Sequence, residues 1–257
     1  MYLETFLKES IPITSTAAPE WPVVARAHVP ARRLLAELFG TFMLTLVAAG
    51  GPVIAAITGT NPGLAALVVA PALLVMALIY SVGPLSGAHF NPAVTLAFTL
   101  RQNFPLGRLP GYWLAQGVGA ILAALLLRVL FGNVGDLGAT LPYRGTLVPF
   151  VMEATLTLLL VTVILATATG HKSVGHNAAL AVGATIALDG LFAAPISGAS
   201  MNPARSFGPA LVGGHLDTCW IYLAGPGLGA VIAVGLAWLL RGGPSAAAKV
   251  AAQGDVT

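Results

Sequence analysis

Six stretches of mostly apolar residues, at about 33–56, 63–83, 109–131, 147–169, 176–194 and 218–240, decide most of what this chain can become. A helix needs about 20 such residues to cross a hydrocarbon core of about 30 Å, and each stretch meets that length. Two shorter apolar stretches, about 91–100 and 202–212, do not. As helices they reach about 15 Å, half the core, so two placed end to end would span it. Composition supports a membrane setting: 8% of residues are charged, against about 25% in soluble domains. The expected fold class is an all-α membrane protein with six transmembrane helices and two re-entrant half-helices.

The positive charges fix the expected orientation. With both termini cytoplasmic, the inside holds Lys8, Arg26, Arg32, Arg33, Arg101, Arg108, Lys172, Arg241 and Lys249, and the outside Arg128 and Arg144. The net charge of +3 comes without a dense basic run, so nucleic acid is not an expected partner. The lipid bilayer is, in a plasma or inner membrane. Residues 1–32 carry Glu4, Lys8, Glu9, Glu20 and several prolines without a leading apolar core, and are expected as a disordered cytoplasmic tail. The Ala/Gly/polar stretch 241–257 is expected to behave alike. The single Cys219 excludes an internal disulfide framework and a cysteine metal cluster, and no cofactor or metal site is expected.

Between the tails, repeat one (33–131) and repeat two (147–240) make up one channel-like domain, 33–240. Ser86-Gly87-Ala88-His89-Phe90-Asn91-Pro92-Ala93 matches Ser197-Gly198-Ala199-Ser200-Met201-Asn202-Pro203-Ala204. Upstream of each copy lies an apolar span with one glutamate, Glu37 or Glu153. Downstream, Leu114-Ala115-Gln116-Gly117 echoes Leu223-Ala224-Gly225-Pro226. Each half contains three spans, an odd number, so the second half enters from the opposite side. Short, interrupted segments at matching positions of such inverted halves point to a solute site near the midplane.

Asn-Pro is a sound helix start, because Asn caps the first donors and Pro gives up a donor that had no partner. Inverted halves bring the two starts face to face. Each helix N-terminus carries about +0.5 of a charge, so together they oppose cations, hydronium included. The amides of Asn91 and Asn202 can donate to a passing oxygen. The carbonyls of the preceding runs, Gly87, Ala88, His89 and Phe90 and Gly198, Ala199, Ser200 and Met201, are expected to form an acceptor track. Such a wall suits a neutral hydroxyl-bearing solute and serves a small ion poorly.

Ionisable residues inside spans are candidates for function. Glu37 and Glu153 could couple protons, but their symmetry favours bracing the extended loop of each repeat. Asp189 is expected to cap or hold a loop. Arg205 stands in the first turn after the second Asn-Pro-Ala, where the first repeat has Val94. This asymmetry suggests an arginine that offers donors to the solute and repels cations. His89 is expected to brace its loop. His171, Lys172 and His176 read as solvated loop residues.

The paired motifs, Ser86 to Thr95 and Met201 to Pro209, resemble the aquaporin, or major intrinsic protein, family. The resemblance implies a homotetramer with one path per subunit and a narrow outer filter of four positions. Counting from the motifs, these are Pro71, Gly190, Ala199 and Arg205. Water-selective members typically carry phenylalanine and histidine at the first two, so this filter is expected to be wide, and Gly190→His to narrow it. The stretch 183–209 is similar to the nodulin-like branch. Ser206 stands where glycerol facilitators usually have aspartate, while Tyr222-Leu223 favours the solute branch.

The expected activity is passage of water and small uncharged solutes: undissociated metalloid acids such as silicic acid, boric acid or arsenite, and glycerol or urea. A water-selective channel is the nearest alternative. A secondary transporter would need a coupling-ion site, and no acidic cluster accompanies the Asn pair. A purely structural membrane protein would show no permeability. Catalysis is not expected: the histidines lack metal-ligand spacing, and no serine or cysteine has a recognisable base.

Overall fold

The computed structural model describes residues 29–168 and 177–254. Its long helices are α1 (Val29–Thr58), α2 (Gly63–Ser86), α4 (Leu109–Phe131), α5 (Leu147–Thr167), α6 (Ala178–Ser197) and α8 (Cys219–Arg241). All six are long and apolar enough to cross a membrane. Two short helices, α3 (Pro92–Leu100) and α7 (Pro203–Gly213), have 9 and 11 residues, as their half-length stretches require. A last helix, α9, covers Ala246–Gln253. No strand occurs among the described residues.

Helices overrun the apolar stretches at several ends. α1 begins at Val29 and continues through Arg32 and Arg33, since a helix does not stop where its side chains become charged. α2 and α6 each run three residues further than hydropathy suggests and carry Pro84 and Pro195 inside. What stops them is a left-handed glycine. Gly87 (φ +88°) and Gly198 (φ +85°) return their N–H groups to Gly83 O and Ala194 O at 2.8 and 2.9 Å. α2 stays unbroken through Pro71.

The two halves repeat one packing scheme. α1 packs on α2 and α4, and α5 on α6 and α8, while α2 and α6 meet across the halves. Each short helix also lies against the last span of the other half, α3 on α8 and α7 on α4. The closest crossings need glycine. A Cβ on Gly119 would lie 2.4 Å from Leu38 O, and one on Gly229 would lie 2.2 Å from Ala154 O. Small residues at such crossings let backbones touch without lipid between them. These contacts pair Gly119 with Gly229, hence Tyr112 with Tyr222 and Gln116 with Pro226. The register expected from the Leu-Ala echo is off by one residue, because backbone approach, not side-chain likeness, sets it.

The stretch 241–257, expected to be disordered, instead carries α9. Ser245 Oγ caps it by accepting from Ala248 N at 3.1 Å. Ala248 and Ala252 are buried, and Gln253 Nε2 donates to Asn103 O at 3.0 Å. Arg108 Nη1 in turn donates to Gln253 Oε1 at 3.3 Å. Alanines give no hydropathy signal for docking, yet they allow close approach: a Cβ on Gly87 would lie 2.4 Å from Ala252 O. The expected N-terminal tail up to residue 28, and the loop residues His171, Lys172 and His176, lie outside the described residues.

Candidate functional site

The two motif loops adopt the same unusual backbone. After the glycine that ends each long helix, Ala88 and Phe90 take φ +50° and +49°, and Ala199 and Met201 take +45° and +53°. Non-glycine residues pay about 1–3 kcal/mol each in such regions and stay there only when the surroundings hold them. The buried glutamates do so. Glu37 Oε1 accepts from Ser86 Oγ (2.7 Å) and His89 N (2.9 Å), and Oε2 from Phe90 N (2.7 Å) and Gln116 Nε2 (2.8 Å). Glu153 Oε1 accepts from Ser197 Oγ (2.8 Å) and Ser200 N (2.9 Å), and Oε2 from Met201 N (2.7 Å). Pro226 occupies the place of Gln116, so Glu153 lacks the fourth donor.

Asn91 and Asn202 cap α3 and α7 from extended conformations, with proline as the first helical residue. Asn91 Oδ1 accepts from Ala93 N at 2.8 Å, and Asn202 Oδ1 from Ala204 N at 3.0 Å. Their amides then cross over. Asn91 Nδ2 donates to Met201 O at 2.7 Å, and Asn202 Nδ2 to Phe90 O at 2.8 Å. The two helix starts therefore meet tip to tip. The cross-links modify the expected track. Phe90 and Met201 carbonyls each keep one lone pair, and each amide keeps one hydrogen for another acceptor.

Arg205 departs from the symmetry. Its Nη1 donates to Gly138 O (3.2 Å) and Thr140 Oγ1 (2.6 Å), and its Nη2 to Ala48 O (3.1 Å). Thr140 Oγ1 also lies 2.7 Å from Ser206 Oγ, which lies 2.5 Å from Ser200 Oγ; Ser200 Oγ donates to Asn202 O at 3.0 Å. Since Ser200 gives its one proton to Asn202 O, Ser206 donates to Ser200 and Thr140 to Ser206, and the chain runs from guanidinium to midplane. In the first repeat His89 stands for Ser200. Its Nδ1 pairs with Thr95 Oγ1 at 3.1 Å and its Nε2 with Ala252 O at 2.8 Å, which ties the loop to α9.

One cavity of about 310 Å³ passes these groups. Gly83, Ala168 and Gly254 border it at one end, and Ala48, Leu67 and Gly190 at the other. Asn91, Asn202, Arg205 and both motif loops line it, and the rest is apolar, including Leu44, Ile79, Leu160, Ile164 and Ile186. Pro71, Ala199 and Gly190 all lie on its surface. Gly190 does not open the space expected of it, however: a Cβ there would fall 2.6 Å from Val68 Cβ. Gly190→His is therefore not a simple narrowing, because the new side chain meets α2 first. Pro92, Pro203, Ala93 and Ala204 sit in or beside the first turns of α3 and α7, and the last two are buried against the core.

The family model described as "Major intrinsic protein" matches residues 25–237. The chain belongs to the major intrinsic protein family. It is 47% identical over 204 residues to Aquaporin NIP1-1 of Zea mays, covering 78% of this chain and 71% of that protein. It is 40% identical over 228 residues to Aquaporin NIP3-1 of Arabidopsis thaliana, covering 86% and 70%. Relatives carrying the NIP name agree with the nodulin-like resemblance of its sequence. Its fold matches the X-ray structure of the aquaglyceroporin from Plasmodium falciparum with a TM-score of 0.72 at 23% identity, covering 81% of this chain and 95% of that one. As a major intrinsic protein, the chain is an integral membrane channel and not an enzyme.

Within this major intrinsic protein, several residues that hold the site give little signal in sequence. Gln116 could have been singled out as a polar side chain in an apolar span. Thr140 and Gly138 lie in a loop, where nothing in their type or spacing reveals that they grip Arg205. Asp189, expected at a loop or cap, is instead buried two turns inside α6, and its Oδ2 meets no hydrogen-bond partner among the described residues.

Proposed function

We propose that this major intrinsic protein passes small uncharged, hydroxyl-bearing solutes as well as water, and holds back ions and protons. The solutes are undissociated metalloid acids such as silicic acid, boric acid or arsenite, together with glycerol and urea. One observation carries this: a single cavity runs past two opposed, asparagine-capped helix starts, with a guanidinium on its lining and aliphatic side chains over much of the remainder. Such a lining offers a polyhydroxylated solute both hydrogen bonds and an apolar face. A cation meets two helix N-termini of about +0.5 charge each, plus Arg205, and finds too few oxygens to replace its water. Pro71, Gly190, Ala199 and Arg205 form the outer filter in this proposal, Asn91 and Asn202 the midplane barrier, and Glu37 and Glu153 the braces. The relatives are named aquaporins, which supports water as a co-permeant. The family resemblance further supports a homotetramer, and the distribution of Lys and Arg supports cytoplasmic termini.

Stopped-flow measurements on proteoliposomes test the proposal. Water, glycerol, boric acid and arsenite fluxes should all exceed those of empty vesicles, without saturation at low concentration and without dependence on a proton or sodium gradient. Water flux with no flux of the other solutes would leave a water-selective channel. Gradient-driven flux would make the protein a secondary transporter.

A further inference from the structure

The structure assigns the missing filter wall to Val68. α2 turns Val68, Pro71 and Val75 to the cavity, at i, i+3 and i+7, so they share one face of the helix. α6 presents Gly190 to the same cavity. At this crossing a Cβ on Gly190 would lie 2.6 Å from Val68 Cβ and 2.9 Å from its Cγ1, closer than such atoms approach. Seven residues earlier on α6, a Cβ on Gly183 would lie 3.1 Å from Ala72 O. Two glycines thus bring α6 onto α2, and the valine isopropyl stands where a side chain at position 190 would otherwise stand. Val68 is 9% exposed, and that exposure faces the cavity also lined by Ala199 and Arg205. A β-branched side chain has little χ1 freedom, so its volume in the constriction is fixed. It carries no donor or acceptor. A solute therefore lays carbon on Val68 while its hydroxyls turn to the guanidinium, and the size of residue 68 sets the largest solute admitted.

This inference presupposes that the cavity conducts, as proposed, and is tested by a volume series at one position. Val68→Ala, Val68→Thr and Val68→Leu are purified, checked for folding by thermal melting, and assayed in vesicles with water, glycerol and the larger polyol xylitol. Val68→Thr conserves volume and should keep the wild-type cut-off. Val68→Ala should raise xylitol flux relative to glycerol, and Val68→Leu should lower glycerol flux about tenfold, the scale of one methylene in a tight site. Gly190→Ala should melt below wild type, because its Cβ would lie 2.6 Å from Val68 Cβ, and Val68→Ala, which keeps that Cβ and removes only the Cγ atoms, should recover no more than part of the loss. A cut-off that does not follow volume at position 68 in folded variants overturns the inference. A wild type that passes water alone refutes the proposed solutes instead, and the series is then read on water flux, which must still follow volume.

Discussion

Glu37 offers the sharpest test of how the motif loop is held. Four donors point at its two oxygens, at 2.7 to 2.9 Å. Hydrogen bonds to a charged acceptor contribute about 1.5–3 kcal/mol each, so Glu37→Ala removes about 6–12 kcal/mol before relaxation. That is comparable with the whole stability of a folded domain, about 5–15 kcal/mol. Glu37→Gln is milder. Its amide oxygen retains Ser86 and His89, while its NH₂ faces Phe90 N–H and the Gln116 amide. Gln116 can turn over to present Oε1, which has no partner in the native arrangement, though its bond to Thr95 is then lost. Phe90 N–H cannot adapt, and a buried orphan donor costs about 1–3 kcal/mol. The expected result is a lowered but cooperative melt for Glu37→Gln and little or no folded protein for Glu37→Ala. Fluorescence-detected size exclusion and thermal melting in detergent read both. A Glu37→Ala protein as stable as wild type would refute the bracing role. A Glu37→Gln protein of normal stability that loses proton-gradient-driven flux would make the carboxylate a proton carrier.

Three further outcomes follow from the same geometry. Gly40→Ala should reduce thermal stability by about 1–3 kcal/mol or more, since the added Cβ would lie 2.1 Å from Phe90 Cε1, and Phe90→Leu in the same chain should restore part of it. Thr140→Val keeps shape but deletes the acceptor of Arg205 and the partner of Ser206; a loss of about 1–3 kcal/mol is expected in melting, larger than for Ser206→Ala, whose neighbours can bond elsewhere. Ending the chain at Ser245 removes α9, and with it Ala252 O from His89 Nε2 and Gln253 from Asn103; a lower melting temperature is expected, and an unchanged one would show that α9 docks without energetic consequence.

The architecture was legible in the sequence because membrane physics leaves few alternatives. Span length, charge placement and the two Asn-Pro-Ala copies already imply six crossing helices and two half-helices meeting at Asn91 and Asn202, and the symmetry of Glu37 and Glu153 already implies their contacts. What stayed hidden depended on distance between backbones. Gly190 reads as empty space on a list of filter positions, yet it is a contact surface for Val68. Hydropathy stops α2 and α6 too early, because a left-handed glycine ends them and not a change in polarity. The alanines of α9 carry no signal for docking, since their contribution is how closely they allow the chain to approach Gly87.

The pseudo-twofold also separates scaffold from specificity. Positions that match between the halves (Glu37 and Glu153, Ser86 and Ser197, Asn91 and Asn202, Gly119 and Gly229) make equivalent contacts, and those contacts hold the chain in shape. Positions that differ make contacts with no counterpart. Arg205 and Val94 both line the cavity, but only Arg205 brings donors to it, and it draws Gly138 and Thr140 from a loop that the first repeat does not supply. Ser200 leads inward to Ser206 and Asn202, where His89 leads outward to α9. A fully symmetric path would treat a solute alike from both sides and offer no single narrow point. The differing position that brings a guanidinium to the cavity is Arg205, so a change there should alter which solutes pass, whereas a change at a matched pair should first alter whether the protein folds.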